Sequence, residues 1–144
     1  MKVELSLESG MRLKGKDDKG LETFFDAGES DGGKGSASSP MAVFLEAAGA
    51  CSAIDVLIII RKKRRTVNDL KISIEGERAA DYPKVYIKVH MKYVLYSPDA
   101  KIEELQQAVE LSHEKYCSAS AMLEKSGCEV TWSVEVKKDK EENK

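Results

Sequence analysis

Apolar and polar residues alternate strictly at the start of the chain, where Val3, Leu5 and Leu7 are separated by Glu4, Ser6 and Glu8. A period of two is that of a strand with one face turned to a core. Two more short runs, Met11 to Lys14 and Leu21 to Phe25, are set off by SG and by KGKDDKG, so the pattern predicts three strands in an antiparallel meander. From Asp26 to Ser39 the sequence DAGESDGGKGSASS holds four glycines and four serines. Such a composition favours neither helix nor strand and predicts a mobile loop.

The period then changes. Ser39-Pro40 has the form of a helix start, a capping hydroxyl followed by a proline whose missing N–H is not needed at the first helical position. The helix is predicted to reach about Arg65, a length of roughly 35 to 40 Å at 1.5 Å per residue. It is apolar on nearly every side up to Ile60, which predicts a central helix surrounded by protein. Glu46 and Asp55 lie within this run, and a carboxylate is costly in hydrocarbon, so burial in protein is the better reading than a membrane span.

Alternation returns after the helix. Leu70, Ile72 and Ile74 interleave with Lys71, Ser73 and Glu75, and a longer strand from Val85 to Leu95 interleaves with Lys88, His90 and Lys92, the two being joined by a turn at DYPK, 81 to 84. Pro98-Asp99 is predicted to open a second helix, with Ile102, Leu105, Val109 and Tyr116 at helical spacing and Glu103 and Glu104 in its first turn. A short helix from Ser118 to Lys125 follows. Cys128, Val130, Trp132, Val134 and Val136 then form one face of a last strand. The order of strands, helix, strands, helices and strand is that of an α+β fold. One domain is expected over 1–137, with a charged, disordered tail over 138–144.

Composition narrows the class. A chain of 144 residues with 42% hydrophobic and 33% charged residues and a net charge of −2 reads as a soluble globular domain with no electrostatic call for a polyanion. Five basic residues, RKKRR at 61 to 65, end the apolar helix where the helix dipole favours cations, and no aromatic platform accompanies them, so nucleic acid is not expected as a partner. Three cysteines at 51, 117 and 128 are too few and too far apart for a disulfide scaffold, and MKVELSLESG has no apolar leader segment. These features point to a cytoplasmic protein with reduced thiols.

The seven residues AAGACSA around Cys51 are all small, so backbones can approach that surface closely. The expected neighbours are the second helix and a second copy of the chain, hence a homodimer. Cys128 shares a face with Val130 and Trp132 and is expected in the core. Cys51 sits in mid-helix, beyond the help of the N-terminal dipole, and a charged Asp55 one turn on would raise its pKa. As a nucleophile it would need a cation from elsewhere, and Arg12 and Arg78 are the candidates. Cys117 follows His113 by one turn if the helix runs on, which would set an imidazole beside the thiol. An exposed histidine near a buried cysteine fits the same spacing. Paired short spacings of the zinc kind, a glycine-rich phosphate loop, a carboxylate pair and a serine triad are not found.

Two stretches taken together, SPMAVFLEAAGACSAIDV and LSHEKYCSASAMLEK, resemble the OsmC/Ohr family of osmotically inducible and organic hydroperoxide resistance proteins, over about Val3 to Val136. The resemblance is closest to its small branch of OsmC-like redox proteins. It implies an intertwined homodimer in which antiparallel sheets wrap long central helices, with reactive sites at the interface. It further implies that Cys51 attacks the peroxide O–O bond to give a sulfenic acid and that Cys117 condenses with it to a disulfide. No bound cofactor or metal is implied; an external dithiol of lipoyl type would reduce the pair. The family's peroxidases carry a glutamate directly after the helix-starting proline, where it helps hold an arginine by the thiol. Here Met41 and Ala42 occupy that place, and the motif around Arg12 differs. The alternative is a protein of the same fold that binds a small apolar ligand, or senses redox state, without peroxidase turnover.

Overall fold

A computed structural model describes residues 1–139. The predicted tail, 138–144, falls outside the described residues from position 140 on. Two compact units divide after Phe44. In the first, β1 (Glu4–Ser9), β2 (Arg12–Lys16) and β3 (Glu22–Phe25) form an antiparallel meander in that order. These are the three strands that alternation predicts. Arg12 pairs with Glu8 at 3.0 Å, donates to the Ser36 hydroxyl and carbonyl, and lies over the Phe24 ring.

The glycine- and serine-rich stretch is organised more than its composition suggests. Asp26 is buried, and its carboxylate accepts hydrogen bonds from the amides of Ala27, Lys34 and Ser36 and from the Ser36 hydroxyl at 2.6 Å. Those donors, the Ser36 hydroxyl first, hold its pKa down at about 2. One carboxylate thus gathers a loop whose own residues favour no element, and a short 3₁₀ turn forms at Glu29–Asp31.

Helix α1 (Pro40–Lys62) begins as predicted, with Ser39 Oγ accepting from the Ala42 amide at 3.3 Å. It stops short of Arg65 because Arg64 takes a left-handed conformation (φ 60°). The basic run beyond it is engaged with α2 (Ile102–Leu111): Arg65 pairs with Glu104 at 3.0 Å and Lys63 donates to Gln107. Within the chain α1 buries a single stripe, Ala48, Gly49, Ser52, Val56 and Ile60, while Phe44, Ile54 and Ile58 remain exposed. The expectation of a helix surrounded by protein is therefore met on one side by this chain alone.

The second sheet has the order β4 (Asp69–Arg78), β5 (Tyr86–Tyr96), β6 (Glu129–Lys137). It is mixed, since β4 and β5 are antiparallel but β5 and β6 run parallel. This departs from the all-antiparallel expectation, because α2 and α3 (Ser118–Lys125) make the crossover that a parallel pair requires. α2 starts at Ile102, later than Pro98-Asp99; Lys101 caps it, its amide donating to Glu104 Oε1. Register puts Ile74, Met91 and Trp132 in one row and Ile72, Tyr93 and Val134 in the next. On this face Val89, Met91, Tyr93 and Leu95 are fully buried, each side chain contributing about 1.5–3 kcal/mol. The opposite face carries Lys71, Glu75, Lys92 and Glu135, with a Lys92–Glu135 ion pair.

Two glycines let α1 and the sheet meet. A β-carbon on Gly49 would collide with the Ile74 side chain, and one on Gly76 would lie 2.6 Å from Tyr86 Cε1 and 3.0 Å from Leu45 Cδ1. The Tyr86 ring is buried. Gly76→Ala is therefore expected to destabilise the fold by about 1–3 kcal/mol in urea unfolding; a loss near zero would show that the ring has room to move.

Candidate functional site

The site begins where α1 lies on β5. Small residues at 47–53 keep the helix close to the sheet, and Ser52 reaches the inward-facing Tyr93, their oxygens 2.6 Å apart. Ser52 Oγ also lies 2.8 Å from Ser112 Oγ, and Ser112 donates to Asp55 Oδ2 at 2.9 Å. On the other side Tyr93 Oη is 2.8 Å from His113 Nε2, and His113 Nδ1 is 2.8 Å from Ser120 Oγ. The imidazole stacks on Trp132, with centroids 4.3 Å apart and planes 4° from parallel. Among the described residues no buried side-chain nitrogen or oxygen lacks a partner.

The chain reaches Cys117 by a local irregularity. After α2, Ser112–Tyr116 widen into a π turn, closed by the Cys117 amide donating to the Ser112 carbonyl at 2.7 Å. Cys117 then leaves helical geometry (ψ 103°) and caps α3, its sulfur accepting from the Ser120 amide at 3.4 Å. The helix therefore does not run on from His113 to Cys117 as the spacing suggested. The two are joined through Ser120, which bonds to both.

The two cysteines of the quoted stretches come together. Cys51 is half-buried and Cys117 is buried, and the Cys51 thiol lies near enough to act on the pKa of Cys117. Burial raises the pKa of Cys117 and outweighs the Ser120 amide, whose hydrogen bond to the sulfur would lower it; the Cys51 sulfur beside it pushes the same way as burial. Cys117 is thus a protonated thiol at neutral pH. His113 cannot serve as a cation for it, because burial depresses the imidazole to about 4. The histidine is buried, so neither spacing-based picture, imidazolium beside thiolate or exposed ring, describes it. Desolvation likewise holds the Tyr93 hydroxyl up at about 12.

Cys128 is buried just before β6, its thiol raised by desolvation, as a core position requires. Arg78 donates to the Lys84 carbonyl at 2.7 Å near the β4–β5 turn, and Arg12 belongs to the first unit with Glu8 and Ser36. Among the described residues no three His, Cys, Asp or Glu side chains are grouped to hold a metal. A depression of about 230 Å³, lined by Asp55, Ile58, Ile59, Lys62 and Tyr116, opens at the outer end of the hydrogen-bonded chain. Sequence reasoning passed over Ser52, Tyr93, Ser112 and Ser120. The signal was there in Tyr93, whose parity with Met91 and Leu95 turns a hydroxyl inward that must find a partner.

Residues 33–133 match the family described as OsmC-like protein. Protein YhfA of Escherichia coli strain K12 is 35% identical over 136 residues, 94% of this chain and 98% of its own. The crystal structure of a hypothetical protein from Aquifex aeolicus VF5 is 36% identical, with a TM-score of 0.78 over 95% of this chain and 97% of that one. An organic hydroperoxide resistance protein from Legionella pneumophila shares the fold, with a TM-score of 0.64 at 18% identity, covering 93% of this chain and 96% of that one.

His113 leaves a mark on stability. Its folded pKa of about 4 lies below the ordinary 6.5, so between these values the unfolded chain binds the extra proton and stability rises with pH. The contribution is complete above 6.5 and is lost as pH falls towards 4, a loss of up to about 3 kcal/mol. Urea unfolding from pH 7.5 to 4.5 should show this slope, and His113→Gln should flatten it. An unchanged slope in the variant would place the titration elsewhere.

Proposed function

This chain belongs to the OsmC-like protein family, and from that membership and its paired thiols we propose that it is a thiol-dependent peroxidase reducing organic hydroperoxides in oxidative-stress defence. One observation carries the reading: a half-buried Cys51 is a close neighbour of a buried Cys117. A peroxidatic thiol has to be reached by its substrate, whereas the thiol that resolves it needs only to reach the first. Cys51 sulfur attacks the peroxide, the O–O bond breaks, and the alcohol leaves with the thiol's proton as Cys51 becomes a sulfenic acid. Cys117 sulfur then displaces hydroxide from Cys51, forming the disulfide and water. An external dithiol, of lipoyl type, exchanges with the disulfide and restores both thiols.

The same reading makes the protein a cytoplasmic homodimer. Phe44, Ile54 and Ile58 on α1, and Val3, Leu5 and Leu7 at the first sheet, are exposed in the single chain, more apolar surface than a soluble monomer ordinarily presents. α1 is long and apolar enough to cross a membrane, but Asp55 and the buried Ser52 take part in polar contacts with the π turn and β5, which supports a place within protein. A second reading, a redox-sensing or ligand-binding protein without turnover, is favoured by Met41 in place of the family's glutamate and by the depression lined by Ile58, Ile59 and Tyr116.

One equivalent of cumene hydroperoxide should convert the reduced protein to a form with a Cys51–Cys117 disulfide, read by mass spectrometry. Cys51→Ser should abolish peroxide consumption, Cys117→Ser should react once and stop at sulfenic acid or beyond, and Cys128→Ser should match the parent. A folded protein that keeps its Cys51 thiol under excess hydroperoxide would hand the function to the binding alternative. Sedimentation at micromolar concentration should give a dimer; a stable folded monomer would remove the interface from the account.

A further inference from the structure

Disulfide formation leaves one proton to be moved: Cys117 must lose its hydrogen as it attacks, yet it is buried, with a pKa raised by desolvation. No water need reach it if a hydrogen-bonded path does. We propose that the buried file of side chains from Ser120 through His113, Tyr93, Ser52 and Ser112 is a proton conduit that connects the Cys117 thiol with the Asp55 carboxylate. The proposal rests on the peroxidase reading for the direction of use, and on the geometry for the path.

From Ser120 to Asp55 the links are short and continuous, and Ser120 adjoins the thiol, its amide donating to Cys117 Sγ at 3.4 Å and its side chain acting on the same sulfur. Ser120, Ser52, Ser112 and Tyr93 are fully enclosed and His113 nearly so, and successive oxygens and nitrogens from Ser120 to Asp55 stand 2.6 to 2.9 Å apart. The carboxylate end fixes the polarity. An ionised Asp55 only accepts, so Ser112 donates to it, Ser52 donates to Ser112, and Tyr93 donates to Ser52. That leaves Tyr93 to accept from His113 Nε2–H, with Nδ1 bare to accept from the Ser120 hydroxyl. Met91 sulfur, 3.4 Å from Tyr93 Oη, is a weak competitor for the tyrosine proton.

Every member of the file can give one proton and take one. As Cys117 sulfur bonds to Cys51, its hydrogen passes to Ser120 Oγ; Ser120 protonates His113 Nδ1 while Nε2–H goes to Tyr93, and the shift ends on Asp55. The imidazole changes tautomer and carries no net charge, which suits a site whose burial disfavours imidazolium. Asp55 is half-buried and lines the open depression, where it releases the proton to solvent. The hydroxide displaced from Cys51 takes a proton from solvent, so the sum is one disulfide and one water. Reduction of the disulfide runs the file the other way and returns a proton to Cys117.

Tyr93→Phe removes one hydroxyl and leaves the ring in place. After one equivalent of cumene hydroperoxide, it should slow disulfide formation by about 10-fold to 100-fold, while the rate of peroxide consumption in that first turnover stays within about 2-fold of the parent and dimedone traps more of the longer-lived Cys51 sulfenic acid. Ser52→Ala, at another link, should do the same. The parent's disulfide step should show a solvent deuterium effect with a curved proton inventory, the mark of several protons moving together, and the variants a linear one. Equal disulfide rates and equal isotope effects in parent and folded variants would overturn the conduit. A parent that forms no sulfenic acid would instead defeat the peroxidase reading, and the conduit is then tested with glutathione disulfide. There Cys117 displaces glutathione from Cys51 and sheds the same proton, and Tyr93→Phe should again be slower; an equal rate would overturn it.

Discussion

A serine, a tyrosine and an imidazole enclosed away from water have only one another for partners, and this requirement ties the elements of the second unit together. Each group left unsatisfied would cost about 1–3 kcal/mol, so Ser52 on α1, Tyr93 on β5, Ser112 and His113 on the π turn and Ser120 on α3 fix each other's positions. The two reactive candidates are neighbours of that network in sequence. Cys51 precedes Ser52, and Cys117 caps the turn that carries Ser120. Their proximity is thus a consequence of polar satisfaction several residues wide rather than of a local cysteine motif.

The network forms because the apolar frame permits a close approach. Gly49 admits Ile74 and Gly76 admits Tyr86, so α1 rests near the sheet surface where a hydroxyl as short as serine's can reach Tyr93. Trp132 on β6 supplies the flat surface on which His113 lies. Cys117 is held protonated by the same enclosure that lowers His113. Burial therefore has two chemical effects at once: it disfavours the Cys117 thiolate, and it disfavours a charged His113.

Much of this was legible in the sequence. Strict alternation located the strands of both sheets, Ser39-Pro40 marked the start of α1, and inward parity placed Cys128 in the core. The parallel pairing of β6 with β5 was not legible, because a strand's own pattern is silent on the direction of its neighbour and only the helical crossover decides it. Nor was the π turn, since an extra residue in the helical repeat leaves no mark on spacing; reading His113 and Cys117 as one α-turn apart gave the wrong partner for each. The order around Asp26 was hidden by its glycines and serines, whose composition tells of local preference and nothing of a carboxylate that gathers their amides.

The central claim is that an ionised Asp55 sets the direction of every hydrogen bond up to the histidine. Nitrogen-15 NMR of His113 in the reduced protein measures that direction at one residue. The account predicts a neutral ring at pH 7 with its proton on Nε2 and Nδ1 bare, a state that persists on acidification until the pH approaches about 4. A proton on Nδ1, or an imidazolium at neutral pH, would contradict it.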